Sequence, residues 1–199
     1  MCEECEKIFG SYDQYAAELL LNSEKDQKPL TQNNEVVGWQ IDTFDYKRLK
    51  LFLISLLWRA GASEQIQFQK IKLGKYLDKA KGLLLTGSSG AENDFSFIIA
   101  RFGDAAGQAH FADPHPELKN DVFGKLNAYR FYLGAGYIVY IKVDKRPFPE
   151  ESLPVVATLG KPLIIMRRTD FLLSKEFEVM KKVFLAANET QNRLKNRNL

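Results

Sequence analysis

"AYRFYLGAGYIVYIKV", Ala128–Val143, decides between a helical and a mixed fold. Aromatic and β-branched residues crowd both halves, and the glycines of the central "GAG" permit the positive φ of a tight turn, so the stretch predicts an antiparallel hairpin near residues 127–143. On its N-terminal side, "DFSFIIARF" (94–102) passes from alternating to continuous apolar residues and reads as a strand. "VVGWQI" (36–41) and "PLIIMRR" (162–168) supply two more.

The flanks read as helices. In "DTFDYKRLKLFLISLLWRA" (42–60), Asp42, Thr43 and Asp45 are candidate caps and Gly61 the expected stop. Leu49, Phe52, Leu53, Leu56 and Leu57 form a stripe that Leu51, Ile54 and Trp58 widen, which predicts a central buried helix. Lys47, Arg48 and Lys50 crowd its first turns, where the helix dipole disfavours them, so they require solvent or an acidic partner. An earlier helix runs to about Leu21 through Phe9, Tyr12, Tyr15, Ala16 and Leu19, and a weaker one spans "LGKYLDKAKGLLL" (73–85) and stops near "TGSSG". A C-terminal helix, capped by Ser174, follows the spacing of Phe177, Met180, Phe184 and Ala187. Helices, then mainly strands, then a helix, without βαβ alternation, give an α+β fold with an antiparallel sheet. The polar "NSEKDQKPLTQNNE" (22–35) reads as an exposed loop and sets the boundary between residues 1–24 and a single α+β domain over 36–199.

Bulk properties exclude several function classes. The densest apolar run, "LKLFLISLLW", is interrupted by Ser55 and closed by Arg59, too short for a membrane span. Acidic first residues oppose a secretory signal, and two close cysteines suit a reducing cytoplasm. The net charge of +3 does not by itself imply a nucleic-acid partner, but residues 1–40 carry 3 basic and 8 acidic groups while residues 161–199 carry 9 and 4. Arg167, Arg168, Lys181 and Lys182 in that basic end are the candidate phosphate contacts. "GSSG" (87–90) lacks the lysine and spacing of a phosphate loop, and no nucleophile elbow is present. The loop "HFADPHPELKND" (110–121) gathers two histidines and several carboxylates, a mixture suited to acid–base work or cation binding.

Cys2 and Cys5 form a Cys-x-x-Cys pair, half of a tetrahedral zinc site. Glu3, Glu4 and Glu6 oppose thiolate formation and argue against a redox role. His110 and His115, five apart, have a spacing within the zinc range, although Pro114 and Pro116 bracket His115 in what reads as an irregular loop. A homodimer pooling two cysteine pairs into one zinc site is the other way to complete the set.

"CEECEKIFGSYDQYAAELL" followed by "FDYKRLKLFLISLLWRAG" resembles the body of a group of bacterial proteins that carry an HNH-like zinc module at the N-terminus. The likeness covers about the first third of the chain, and through it Cys2 and Cys5 correspond to the second cysteine pair of such a module. Nothing here matches the first pair, and no histidine precedes Cys2, so the resemblance implies a module whose earlier half lies upstream of Met1 and no intact nuclease site. It implies a nucleic-acid-associated accessory with DNA as partner; an interaction or small-ligand-binding domain is the alternative.

Overall fold

Asp45 opens the central helix by accepting the Arg48 backbone N–H at 2.9 Å, and its own N–H donates to the Tyr15 hydroxyl at 2.5 Å, which ties the first helix to the start of the second. The computed structural model describes residues 3–22, 24–103, 115–117, 126–175, 177, 178, 181 and 182. Within them lie helices α1 (Glu3–Ala17), α2 (Tyr46–Ala62) and α3 (Lys75–Thr86). The strands are β1 (Lys28–Gln32), β2 (Glu35–Ile41), β3 (Phe97–Phe102), β4 (His115–Glu117), β5 (Ala128–Tyr132), β6 (Tyr137–Lys142) and β7 (Leu163–Arg168). They form one sheet in the order β1-β2-β7-β3-β6-β5-β4, antiparallel except between β3 and β7. The fold is α+β, as the sequence predicts.

Strand alternation sorts the core into two layers. Phe97, Ile99, Tyr137, Val139, Ile141, Leu163 and Ile165 face the three helices, packing on Leu49, Leu53 and Leu57 of α2, Ala80 of α3 and Phe9 and Ala16 of α1. Ile98, Ala100, Phe102, Ile138 and Tyr140 face the opposite side, where Phe148 and Phe171 cover them. Strand β6 is buried along its whole length, which explains why its first five residues, "YIVYI", are apolar or aromatic without alternation.

The expected hairpin is β5–β6, with Tyr132 opposite Ile138. Its turn takes positive φ at Ala135 (56°) and Gly136 (75°), so an alanine occupies one of the positions expected of glycine. α3 ends as expected at Gly87, whose left-handed backbone places the Ser88 N–H 2.9 Å from the Leu83 carbonyl. Ser174 caps a helical start, its hydroxyl accepting the Phe177 N–H at 3.1 Å, and Lys175, Phe177, Glu178, Lys181 and Lys182 are helical. The remainder of the expected C-terminal helix lies outside the described residues.

Three expectations are corrected. Residues 28–32, read as loop, form the edge strand β1, because Asn33 and Asn34 both take positive φ (51° and 64°) and turn the chain into a tight hairpin with β2. α2 does not stop at Gly61 but continues through Ala62; an added Cβ on Gly61 would lie 2.5 Å from Leu73 Cδ1, so this glycine serves close packing against α3's approach. His115 opens a short edge strand opposite Arg130 where an irregular loop was expected. Among the described residues no helix is long and apolar enough to cross a membrane.

Tyr46 stacks on Phe97 at 5.9 Å between ring centroids, and its buried hydroxyl has no hydrogen-bond partner among the described residues. Burial pushes its pKa up to about 12. A buried donor left unpaired costs about 1–3 kcal/mol. Tyr46→Phe is therefore expected to raise the free energy of unfolding by about 1 kcal/mol in urea titrations; a loss of stability would mean that the hydroxyl is bonded.

Candidate functional site

β7 carries Leu163 and Ile165 toward the helices and Met166 toward the other core, and the same alternation sends Arg167 and Arg168 to opposite faces at the strand's end. Both still wall one open cleft of about 370 Å³, because the strand ends there; Glu35, Val37, Asp170 and Leu173 complete much of its lining. This cleft lies between the start of β2 and the carboxyl end of β7, whose parallel neighbour β3 sets Phe102 beside Arg168 and Arg101 beside Arg167. Open sheets with parallel strands commonly place ligand sites at such ends.

Each arginine is positioned by specific contacts. Arg167 donates to Asp170 Oδ1 at 3.0 Å and to the Val36 carbonyl at 3.4 Å. It crosses directly over Gly103, where an added Cβ would lie 2.3 Å from its Nε, so only glycine leaves room for this placement. Arg168 donates to the Tyr140 hydroxyl at 3.2 Å and lies 5.5 Å over the Phe102 ring. Arg101 stacks 3.9 Å over Trp39, and its guanidinium donates to Gln27 Oε1 at 3.0 Å and to the Tyr137 hydroxyl at 3.2 Å. Gln27 Nε2 donates to that same hydroxyl at 2.7 Å. The end of the sheet thus gathers three guanidinium groups, of which Arg167 and Arg168 line the cleft and Arg101 is held against Trp39 and Tyr137, and the two on the cleft suit a phosphate. Glu35 and Asp170 add negative charge to the same walls.

Of the residues singled out from sequence, Arg167 and Arg168 come together on the cleft. Lys181 and Lys182 are exposed and do not line it. Cys2 and His110 lie outside the described residues; Cys5 is placed in the backbone of α1 and His115 in β4, with neither side chain described. Among the described residues no group of three or more His, Cys, Asp or Glu side chains converges on a point that suits a metal ion.

Sequence reasoning missed a second cluster, at the other end of the sheet. Lys50, expected to seek solvent or an acid, is fully buried and donates to the Ala91 and Glu92 carbonyls at 2.8 and 3.4 Å. Lys142, also fully buried, donates to the Arg146 carbonyl at 2.6 Å. Burial pushes Lys50 down to about 8 against the pull of Asp94 and Glu92, and burial lowers Lys142 as well. The available signal was position: Lys50 stands four residues from both Tyr46 and Ile54, on the buried face of α2. With backbone carbonyls as partners, both lysines act as pins that hold loops to the core.

No protein-family model, curated protein or solved structure matches this chain.

Proposed function

We propose that the protein is a nucleic-acid-associated accessory related to HNH-like proteins, without an intact nuclease site, and that the cleft between the start of β2 and the end of β7 contacts the phosphate backbone. The observation that carries this reading is the placement of Arg167 and Arg168 on one cleft at the end of β7, with Arg101 next to Arg167 on the neighbouring strand. Guanidinium forks match phosphate oxygens, and the buried rings of Phe102, Tyr137 and Tyr140 hold the arginine stems in place from below. Lys181 and Lys182, exposed a short distance along the chain, extend the positive charge. The reading includes the cysteine pair, Cys2 and Cys5, as half of a zinc site completed by another chain or segment.

A second reading has one observation in its favour. Glu35 and Asp170 stand in the cleft with the arginines, and mixed charge suits a compact small ligand with both signs better than a polyanion. Retention of labelled DNA as salt is raised separates the two. The nucleic-acid reading expects a linear fall of log affinity with log salt, its slope reduced by about one unit for each phosphate contact removed in a variant with Arg167, Arg168, Lys181 and Lys182 changed to glutamine. No retention even at low salt would discard it in favour of the small-ligand reading.

A further inference from the structure

The segment "KIKLGKYLDKAKG", Lys70–Gly82, holds five lysines against a single acid, Asp78. Its backbone separates them cleanly from the core. Ile71 and Leu73 are buried while Lys70 and Lys72 alternate outward, and in α3 Ala80 and Leu84 are buried while Lys75, Lys79 and Lys81 are exposed. The Tyr129 hydroxyl clamps the segment from below, accepting the Lys72 N–H at 2.9 Å and donating to the Lys72 carbonyl at 3.0 Å. The lysines are therefore presented by a fixed backbone rather than by a loose tail.

Their charges are also largely uncompensated. Lys79 pairs with Asp94, but Lys70, Lys72, Lys75 and Lys81 form no ion pair with any described residue. Like charges held this close repel one another, and an external polyanion relieves that repulsion. Tyr129 lies in β5, three strands across the sheet from β7, so this surface is separate from the arginine cleft.

We infer that the exposed lysines of Lys70–Lys81 form a second, sequence-independent contact surface for the phosphate backbone of duplex nucleic acid. This rests on the nucleic-acid reading given above and locates a surface that the reading does not use. An anionic lipid surface fits less well, because Leu85 is the one large exposed apolar side chain of α3 and its single aromatic, Tyr76, is half-buried against Phe95. Lysine ammonium groups act as point charges that neutralise phosphates without reading bases, so the surface adds affinity and salt dependence rather than specificity.

The test is a salt titration of a short labelled duplex against the full chain and against a Lys70→Gln, Lys72→Gln, Lys75→Gln, Lys81→Gln variant, with Arg167→Gln, Arg168→Gln as a second variant. All four lysines are exposed, so thermal unfolding of the quadruple variant is expected to match the parent. The expected result is a salt slope lower by about three to four units and binding weaker by about a hundredfold near physiological salt, with the cleft variant's own loss adding to it. Duplex binding with an unchanged slope in the lysine variant overturns this inference and leaves the cleft reading standing. Binding to vesicles of anionic lipid without binding to the duplex overturns it as well, and absence of duplex binding by the parent at low salt overturns both readings.

Discussion

Gly38→Ala is expected to destabilise the protein by about 3 kcal/mol, with a fall in Tm on the order of 10 °C. Gly38 lies inside β2, opposite Met166 of β7 on one side and Leu30 of β1 on the other. An added Cβ would stand 2.6 Å from the Ile165 carbonyl oxygen, and that oxygen belongs to a backbone held in the ladder, so no side chain can swing away to make room. The register shift between Leu30 and Thr31 lies beside this position, and a glycine in a strand interior commonly marks such a bulge or a close backbone approach. Gly82→Ala is the matched control: nothing lies within 4 Å of the added Cβ in α3, and the change should stabilise the helix by about 0.5–1 kcal/mol. Thermal unfolding of both variants checks the pair of outcomes. An unchanged Tm for Gly38→Ala would mean that β2 does not approach β7 in this way. Because Glu35 and Val37 of β2 line the arginine cleft, displacement of the strand is also expected to weaken DNA retention under the nucleic-acid reading proposed above.

The second large effect concerns Lys50. Lys50→Ala removes a fully buried four-carbon stem and leaves the Ala91 and Glu92 carbonyls without their donor, a combined loss of about 2–4 kcal/mol in denaturant titrations. Its pH dependence gives an independent check. In the unfolded chain Lys50 titrates at its ordinary value of 10.5, and in the folded chain burial lowers this to about 8. Between those values the unfolded state binds more protons, so stability attributable to Lys50 rises with pH across the window, by at most about 1.4 kcal/mol per pH unit. Tyr46 works in the opposite sense: its folded value near 12 exceeds the ordinary 10.0, so its contribution is present below pH 10 and lost toward pH 12. Lys50→Met keeps much of the stem and removes the titration, and it should flatten the rise between pH 8 and 10. The same rise persisting in Lys50→Met would assign it to another group, with Lys142 the first to examine.

Much of the helical layer was legible because burial there follows a single face. The stripe of Leu49, Leu53 and Leu57 identified α2 from spacing alone, and capping chemistry narrowed its start to Asp42, Thr43 or Asp45, of which the fold uses Asp45. Gly61 misled because glycine has two uses, a left-handed stop and a point of close packing, and only the position of Leu73 distinguishes them. β1 was illegible for a different reason. "KPLTQ" is mostly exposed and contains Pro29, so an edge strand of this kind carries no apolar alternation, and the clue was the Asn33–Asn34 turn. At the cleft, charge identified Arg167 and Arg168, but their divergence to opposite faces and their contacts with Asp170 and Tyr140 depend on where the strand ends.

By itself the sequence determined the helices α1, α2 and α3, the strands β2, β3, β5, β6 and β7, and that they build an α+β core, because periodicity and capping are local properties of the chain. Only the tertiary structure decided which strands meet. β3 and β7 are parallel neighbours although the β5–β6 hairpin lies between them in the chain, and every central strand is apolar enough to pair with several others. Their choice depends on the helices and turns that cover each face, and the same choice places Arg101 beside Arg167 and buries Lys50 under residues 91–92. Local pattern sets the face that must be hidden, whereas the partner that hides it is settled by packing across the whole sheet.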